Sequence, residues 1–205
     1  MVFNILTIVF SGIAIIFTFY SIFIANKKKD RNDITFKMLD RWTSDPLRSH
    51  RTLGWQLFKE YISEEEIREN KPIYIGVIRE KFQEEYKSLS EVFHFFADLQ
   101  KLLLNGLINR KLAKELFGST IKSWFRYVEK IDYQTYEEPE SDYNNRLKEF
   151  FEDEVFPLSE QLDFTLNRPK INNNIEEKIE EMKIFKKKIS KIKNKEAKYK
   201  QASNS

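Results

Sequence analysis

The sequence predicts an all-α protein: one N-terminal transmembrane helix, an antiparallel helical bundle behind it, and a C-terminal basic amphipathic helix. Three observations carry that prediction. Residues 1–25 contain no charged side chain and stop abruptly at Asn26-Lys27-Lys28-Lys29. Beyond them apolar residues recur at three- and four-residue steps, the spacing of one helix face, and no stretch alternates with period two between turn dipeptides, so no sheet is expected. From Ile175 a narrow apolar seam is flanked first by acids and then by lysines.

The first element follows from length and evenness. About 20 apolar helical residues at roughly 1.5 Å each cross a hydrocarbon core, and Ile13, Ile15, Ile16, Phe17, Phe19 and Tyr20 fall on every face of the helix. A cleaved secretory signal fits poorly, because no basic residue precedes the run and Phe23 stands where a small residue is required. The basic cluster Lys27, Lys28, Lys29 and Arg31 marks the cytoplasmic flank, which puts the N-terminus outside and the body inside. The expected divisions are a transmembrane signal anchor over 1–26, a cytoplasmic helical bundle over 27–169, and a basic amphipathic helix or coiled coil over 170–205 with a disordered end.

The composition agrees with a helical body on a reducing face. The 205 residues are 33% charged, with five Gly, five Pro and no Cys, which excludes disulfides, thiolate zinc sites and cysteine nucleophiles. The net charge of +3 has its excess in the last part of the chain.

Asp33 is a plausible N-cap after a short juxtamembrane break, leading a helix with Ile34, Met38, Leu39 and Trp42. Asp45-Pro46 restarts the helix, with Leu47, Leu57, Phe58, Tyr61 and Ile62 at helical spacing. Ser63-Glu64-Glu65-Glu66 matches a capping box, and Pro72 ends the short helix it opens. Residues 73–104 are the most periodic and predict one long central helix, stopped by a left-handed residue at Asn105-Gly106. Asn109 caps the next helix, which Gly118-Ser119 is expected to break. After a polar loop, Ser141 begins a helix that Pro157 kinks or divides, with Leu158, Leu162 and Leu166 carrying the stripe onward. Asn172-Asn173-Asn174 reads as a linker, and the chain after Lys198 as disordered.

Candidates for chemistry are few. Glu91, His94 and Asp98 have the i, i+3 spacing of half a di-iron carboxylate site, but His50 is preceded at that spacing by Leu47, so the second half is missing. Gly118-Ser119-Thr120 lacks the surroundings of a nucleophile elbow or a phosphate loop and reads as a helix cap. The expectation is therefore no catalytic residue, no metal and no cofactor. In the tail, Ile179, Met182 and Ile189 with Lys186, Lys187, Lys188 and Lys191 form a surface that needs a cover. A protein partner or second copy through this helix is expected, with anionic lipid as another contact. Nucleic acid is disfavoured, since no aromatic platform accompanies the lysines.

The segment from Leu89 through Val92-Phe93-His94-Phe95-Phe96-Ala97-Asp98-Leu99, with Gly106-Leu107-Ile108-Asn109 and Phe117-Gly118-Ser119-Thr120-Ile121-Lys122-Ser123-Trp124-Phe125, resembles an uncharacterised bacterial family. Its members are small, single-pass, helical domain-of-unknown-function proteins that show a Trp and an Arg after the anchor, here Trp42 and Arg51. The resemblance implies the architecture and supplies no activity. The function expected is a membrane-tethered cytoplasmic helical interaction module without enzymatic activity, in a bacterial signalling or phage-defence complex at the inner membrane. The alternative expectation is a small-ligand sensor or membrane-disrupting effector acting through the anchor.

Overall fold

The computed structural model describes the backbone of residues 2–133, 142–169 and 174–203, and the side-chain surroundings of residues 16–133, 145–169, 174 and 176–194. Expectations placed on Ser141, Asn172 and Asn173 lie outside the described residues. Helix α1 (Val2–Thr43) is a single 42-residue helix. The expected break at Asp33 is absent, and the reason is visible in the sequence: no Gly or Pro occurs between Gly12 and Pro46. Lys29, Asp33 and Lys37 also follow at the four-residue spacing that supports a helix through alternating charge.

The transmembrane part of the expected fold is corrected. Among the described residues no helix is long and apolar enough to cross a membrane. The polar half of α1 docks on the body through Thr35, Met38 and Trp42, all buried.

Helix α2 (Asp45–Tyr61) opens with Pro46 in its first turn. Asp45 is its first residue and not its cap; Ser44 holds the cap position and donates its hydroxyl to the Arg41 carbonyl at 2.7 Å. α3 (Glu64–Arg68) carries the expected reciprocal capping box between Ser63 and Glu66. The expected long central helix is divided into β1 (Ile73–Tyr74), α4 (Ile75–Lys81) and α5 (Gln83–Leu104). The division falls at Phe82, whose φ of −137° leaves the helical region so that its ring can pack against Tyr61 at 4.3 Å. α5 ends as expected: Gly106 has φ 61°, its N–H reaches the Leu103 carbonyl, and the Leu107 N–H reaches the Leu102 carbonyl, the paired bonds of a Schellman stop.

α6 (Arg110–Val128) starts on Asn109, whose side chain accepts from the Leu112 N–H at 3.2 Å. It runs unbroken through Gly118-Ser119, since Gly118 is held on both sides by helical turns and costs only about 1 kcal/mol there relative to Ala. β2 (Ile131–Asp132) pairs in parallel with β1, Ile73 opposite Ile131 and Tyr74 opposite Asp132. This two-residue sheet was not expected, because strands so short show no alternation. α7 (Asp142–Glu149) widens into π-helical turns over Phe150–Val155, with the Phe156 N–H on the Phe151 carbonyl at 2.8 Å. Pro157 lacks an N–H and would clash with the turn before it, so the widened turn divides the helix there as expected. α8 (Leu158–Gln161) is the short remainder, and the stripe to Leu166 continues without helix. α9 (Ile175–Ser203) closes the chain and extends helically past Lys198.

α2 and α5 form the centre, where Gly54 lets the helices approach: a Cβ there would meet Leu89 Cδ1 at 3.3 Å and Trp124 at 3.4 Å. Around this contact lies an aromatic core. Phe58 stacks on Tyr127 at 4.9 Å, Trp42 lies 4.7 Å from Phe95, and Phe96 sits 5.6 Å from Phe125. Offset and edge-on ring pairs of this kind contribute about 0.5–1.5 kcal/mol each beyond area burial.

Candidate functional site

The most distinctive surface lies where α1 passes the α5–α6 connection. Thr35 fixes the geometry: its hydroxyl donates to the Arg31 carbonyl at 2.6 Å and accepts the Asn109 N–H at 3.0 Å. Asn109 also donates to Asn32 at 2.7 Å. The N-cap of α6 is thus bonded directly to the middle of α1. Beside this junction an open cavity of about 590 Å³ is lined by Ile24, Lys27, Lys28, Arg31, Leu103, Gly106, Ile108, Asn109, Arg110 and Lys111. Five of these residues are cationic and none is acidic.

The cations differ in their partners. Arg110 is held by the carbonyls of Gln161 and Glu160 and by Asp163 at 2.7 Å. Asp163 also receives Lys114, and these bonds and charges hold its carboxyl below the ordinary range. Among the described residues no acidic side chain pairs with Lys27, Lys28, Arg31 or Lys111. Arg31 reaches over the loop: a Cβ on Gly106 would lie 3.7 Å from its Nη2. The lining also carries apolar Ile24, Leu103 and Ile108, and their sequence neighbours Leu104 and Leu107 are 65% and 47% exposed. On α1 just before Lys27, Ile16, Phe17, Phe19, Tyr20, Ile22, Phe23 and Ile24 are all 48–71% exposed. Of the basic cluster read from the sequence, Lys27, Lys28 and Arg31 line the cavity and Lys29 does not.

The tail is arranged differently from the expectation of an external cover. Met182, Phe185 and Ile189 are buried against the chain's own body, with Ile179 and Ile192 partly so. Phe185 meets Tyr74 edge-on at 5.6 Å, and the Tyr74 hydroxyl donates to Glu181 at 2.5 Å. Lys178 and Asp132 form an ion pair at 2.6 Å with both side chains under 10% exposed. Lys186 pairs with Glu80 at 2.8 Å, Lys188 pairs with Glu66, and Lys193 donates to the Lys81 carbonyl at 2.7 Å. Lys187 and Lys191 remain exposed. Burial pushes the Glu66 carboxyl up, but hydrogen bonds from Lys188 and Ser63 outweigh it and hold the group below the ordinary range. Lys186 holds Glu80 below its ordinary value in the same way.

A second polar cluster braces the end of the sheet. Lys130, 1% exposed, pairs with Glu129 at 2.9 Å and bonds Asn70 and the Asn167 carbonyl. Burial, then the hydrogen bond to Glu152, pushes the Tyr133 phenol up to about 12. Arg168 pairs with the same Glu152 at 2.8 Å.

The remaining sequence candidates fall apart as a site. Glu91 and His94 are exposed on α5, His94 lies 5.0 Å from the Phe150 ring, and Asp98 pairs with Arg41 at 2.6 Å. Among the described residues no group of three His, Asp or Glu is placed to hold a metal ion. Trp42 and Arg51, in contrast, do meet: the guanidinium lies 4.1 Å over the indole ring and ties α2 to α1. Burial, with Arg48 nearby, lowers the Arg51 pKa, and its Nε is buried without a hydrogen-bond partner.

Sequence reasoning missed that Arg110 and Lys111 complete the cluster begun by Lys27. The signal was present as a basic pair set directly after the Gly106 stop and the Asn109 cap, but nothing local says that α1 passes there.

No curated protein and no solved structure matches the chain. A family model does match, over residues 8–156, a span that includes every residue lining the cationic cavity and ends before α9. The protein therefore belongs to the family described as "Domain of unknown function (DUF4760)".

Proposed function

We propose that the protein is a non-enzymatic helical interaction module that docks peripherally on an anionic membrane surface and holds a protein partner there. The observation that carries this reading is the sequence of exposures along α1: a run of large apolar side chains leads straight into an unpaired cationic collar. Burying a large apolar side chain fully is worth about 1.5–3 kcal/mol, and contiguous exposed apolar surface on a monomer marks an interaction site. Each Lys or Arg near an anionic leaflet adds roughly 1 kcal/mol, and the combination of an apolar insertion with a basic patch is what makes surface attachment stable.

Fractionation of cells producing the full chain with a C-terminal tag tests this. The chain is expected in the membrane pellet, with Phe17→Ser/Phe23→Ser shifting it to the supernatant; a wild-type chain found wholly in the supernatant would overturn the reading. Crosslinking in that pellet, read by mass spectrometry, then identifies the partner.

A second reading, a small-ligand sensor, is favoured by a groove of about 340 Å³ bordered by Glu66, Lys71, Tyr74, Glu181, Phe185 and Lys188. A ligand seated there would compete with the bonds that hold α9. Thermal stabilisation by a metabolite fraction, lost in Tyr74→Ala, would support it.

A further inference from the structure

We propose that the cavity between α1 and the start of α6 binds the phosphate-bearing headgroup of an anionic phospholipid. The proposal rests on the membrane-surface reading above and names the lipid chemistry that such a surface recognises.

Charge comes first. Lys27 and Arg31 stand four residues apart on one face of α1, Lys28 stands beside them, and Lys111 faces them from α6. Among the described residues these four lack an acidic partner, and the nearest acids in sequence, Asp30 and Asp33 on α1 and Glu115 on α6, do not line the cavity. The contrast with α9 is informative. Its lysines Lys178, Lys186 and Lys188 are already matched to Asp132, Glu80 and Glu66, so they are poor candidates for an external anion. Arg110 contributes positive charge from a fixed position, because two carbonyls and Asp163 already hold its guanidinium.

Size and surroundings select the source of the anion. A volume of about 590 Å³ lies within the range of small-molecule sites, ample for a glycerophosphate group. A soluble phosphate would have no use for the apolar lining residues Ile24, Leu103 and Ile108. With a lipid phosphate in the cavity, its acyl chains would run past Ile24, Leu104 and Leu107 toward the exposed apolar face of α1. Nucleic acid is a weaker match, since no aromatic ring lines the cavity on which a base could stack.

The test is co-sedimentation of the full chain with phosphatidylcholine vesicles and with equimolar phosphatidylcholine and phosphatidylglycerol vesicles. The wild type is expected to bind the anionic vesicles at least about tenfold more tightly, and Lys27→Glu/Arg31→Glu/Lys111→Glu to lose that preference. Lys187→Glu/Lys191→Glu, an exposed charge change on α9, is expected to keep it, and circular dichroism checks that each variant is folded.

Equal wild-type binding to both vesicles would overturn the headgroup site and the anionic preference, and leave standing only attachment to membranes through the apolar run of α1. An unchanged anionic preference in the cavity variant would overturn the headgroup site and leave the membrane-surface reading standing. Binding to neither vesicle would overturn both. If glycerol phosphate or an RNA oligonucleotide binds through these residues while vesicles do not, the lipid assignment falls.

Discussion

Asp132 and Lys178 form an ion pair in a place where both side chains are largely withdrawn from water, so each charge offsets the desolvation of the other. Asp132→Ala removes the carboxylate paired with a nearly buried ammonium and is expected to cost about 3–5 kcal/mol of stability in urea denaturation, whereas Asp132→Leu with Lys178→Met should recover most of that loss. Gly106 is a second position where one atom matters. Its φ of 61° makes Gly106→Ala cost about 1–2 kcal/mol, and the same denaturation series measures it. Local chemistry at this scale was readable: the Ser63 box, the Asn109 cap and the Gly106 stop each need only residues within one turn. The pairing of Lys178 with Asp132 was not, because it is decided by where β2 delivers Asp132, and nothing in either neighbourhood encodes that.

α9 shows what the element scale adds. Its apolar seam was evident in the sequence, and so was its need for a cover; the cover is the chain's own α4, β1 and α3 surface. Glu66 and Glu80 have folded pKa values held below the ordinary carboxylate range, so their contribution to docking is fully present above the unfolded pKa and is lost as pH falls through the folded one. Hydrogen exchange of α9 amides should therefore quicken selectively as pH drops below about 4, after correction for intrinsic rates, while α5 stays protected. Uniform behaviour of the two helices would contradict this.

α1 teaches the complementary point. Apolar composition suggested a span and Asp33 a new helix start after a break, but with no Gly or Pro at the junction the helix passes uninterrupted from its apolar part into its docked part. Phe82 and Pro157 divide other helices for opposite reasons. Proline announces itself in sequence, whereas Phe82 leaves the helix to fill the core, which only the packed structure reveals.

In the whole molecule, the aromatic core holds α1, α2, α5 and α6 together, and that assembly is what brings Lys27 and Lys111 to one cavity. Trp42→Ala removes the ring that joins Phe95, Phe96 and Arg51, and is expected to cost about 3–5 kcal/mol in denaturation and to disperse the cavity. The helical character and the basic collar of α1 were legible from periodicity and charge; the cavity was not, since its two halves, Ile24–Arg31 and Leu103–Lys111, lie far apart in sequence.

Hydrogen exchange of the full chain with and without phosphatidylglycerol-containing vesicles tests the membrane-surface account most directly. The account predicts added protection over residues 16–31 and 104–111, with α9 unchanged. Protection confined to α9, or none anywhere, would contradict it.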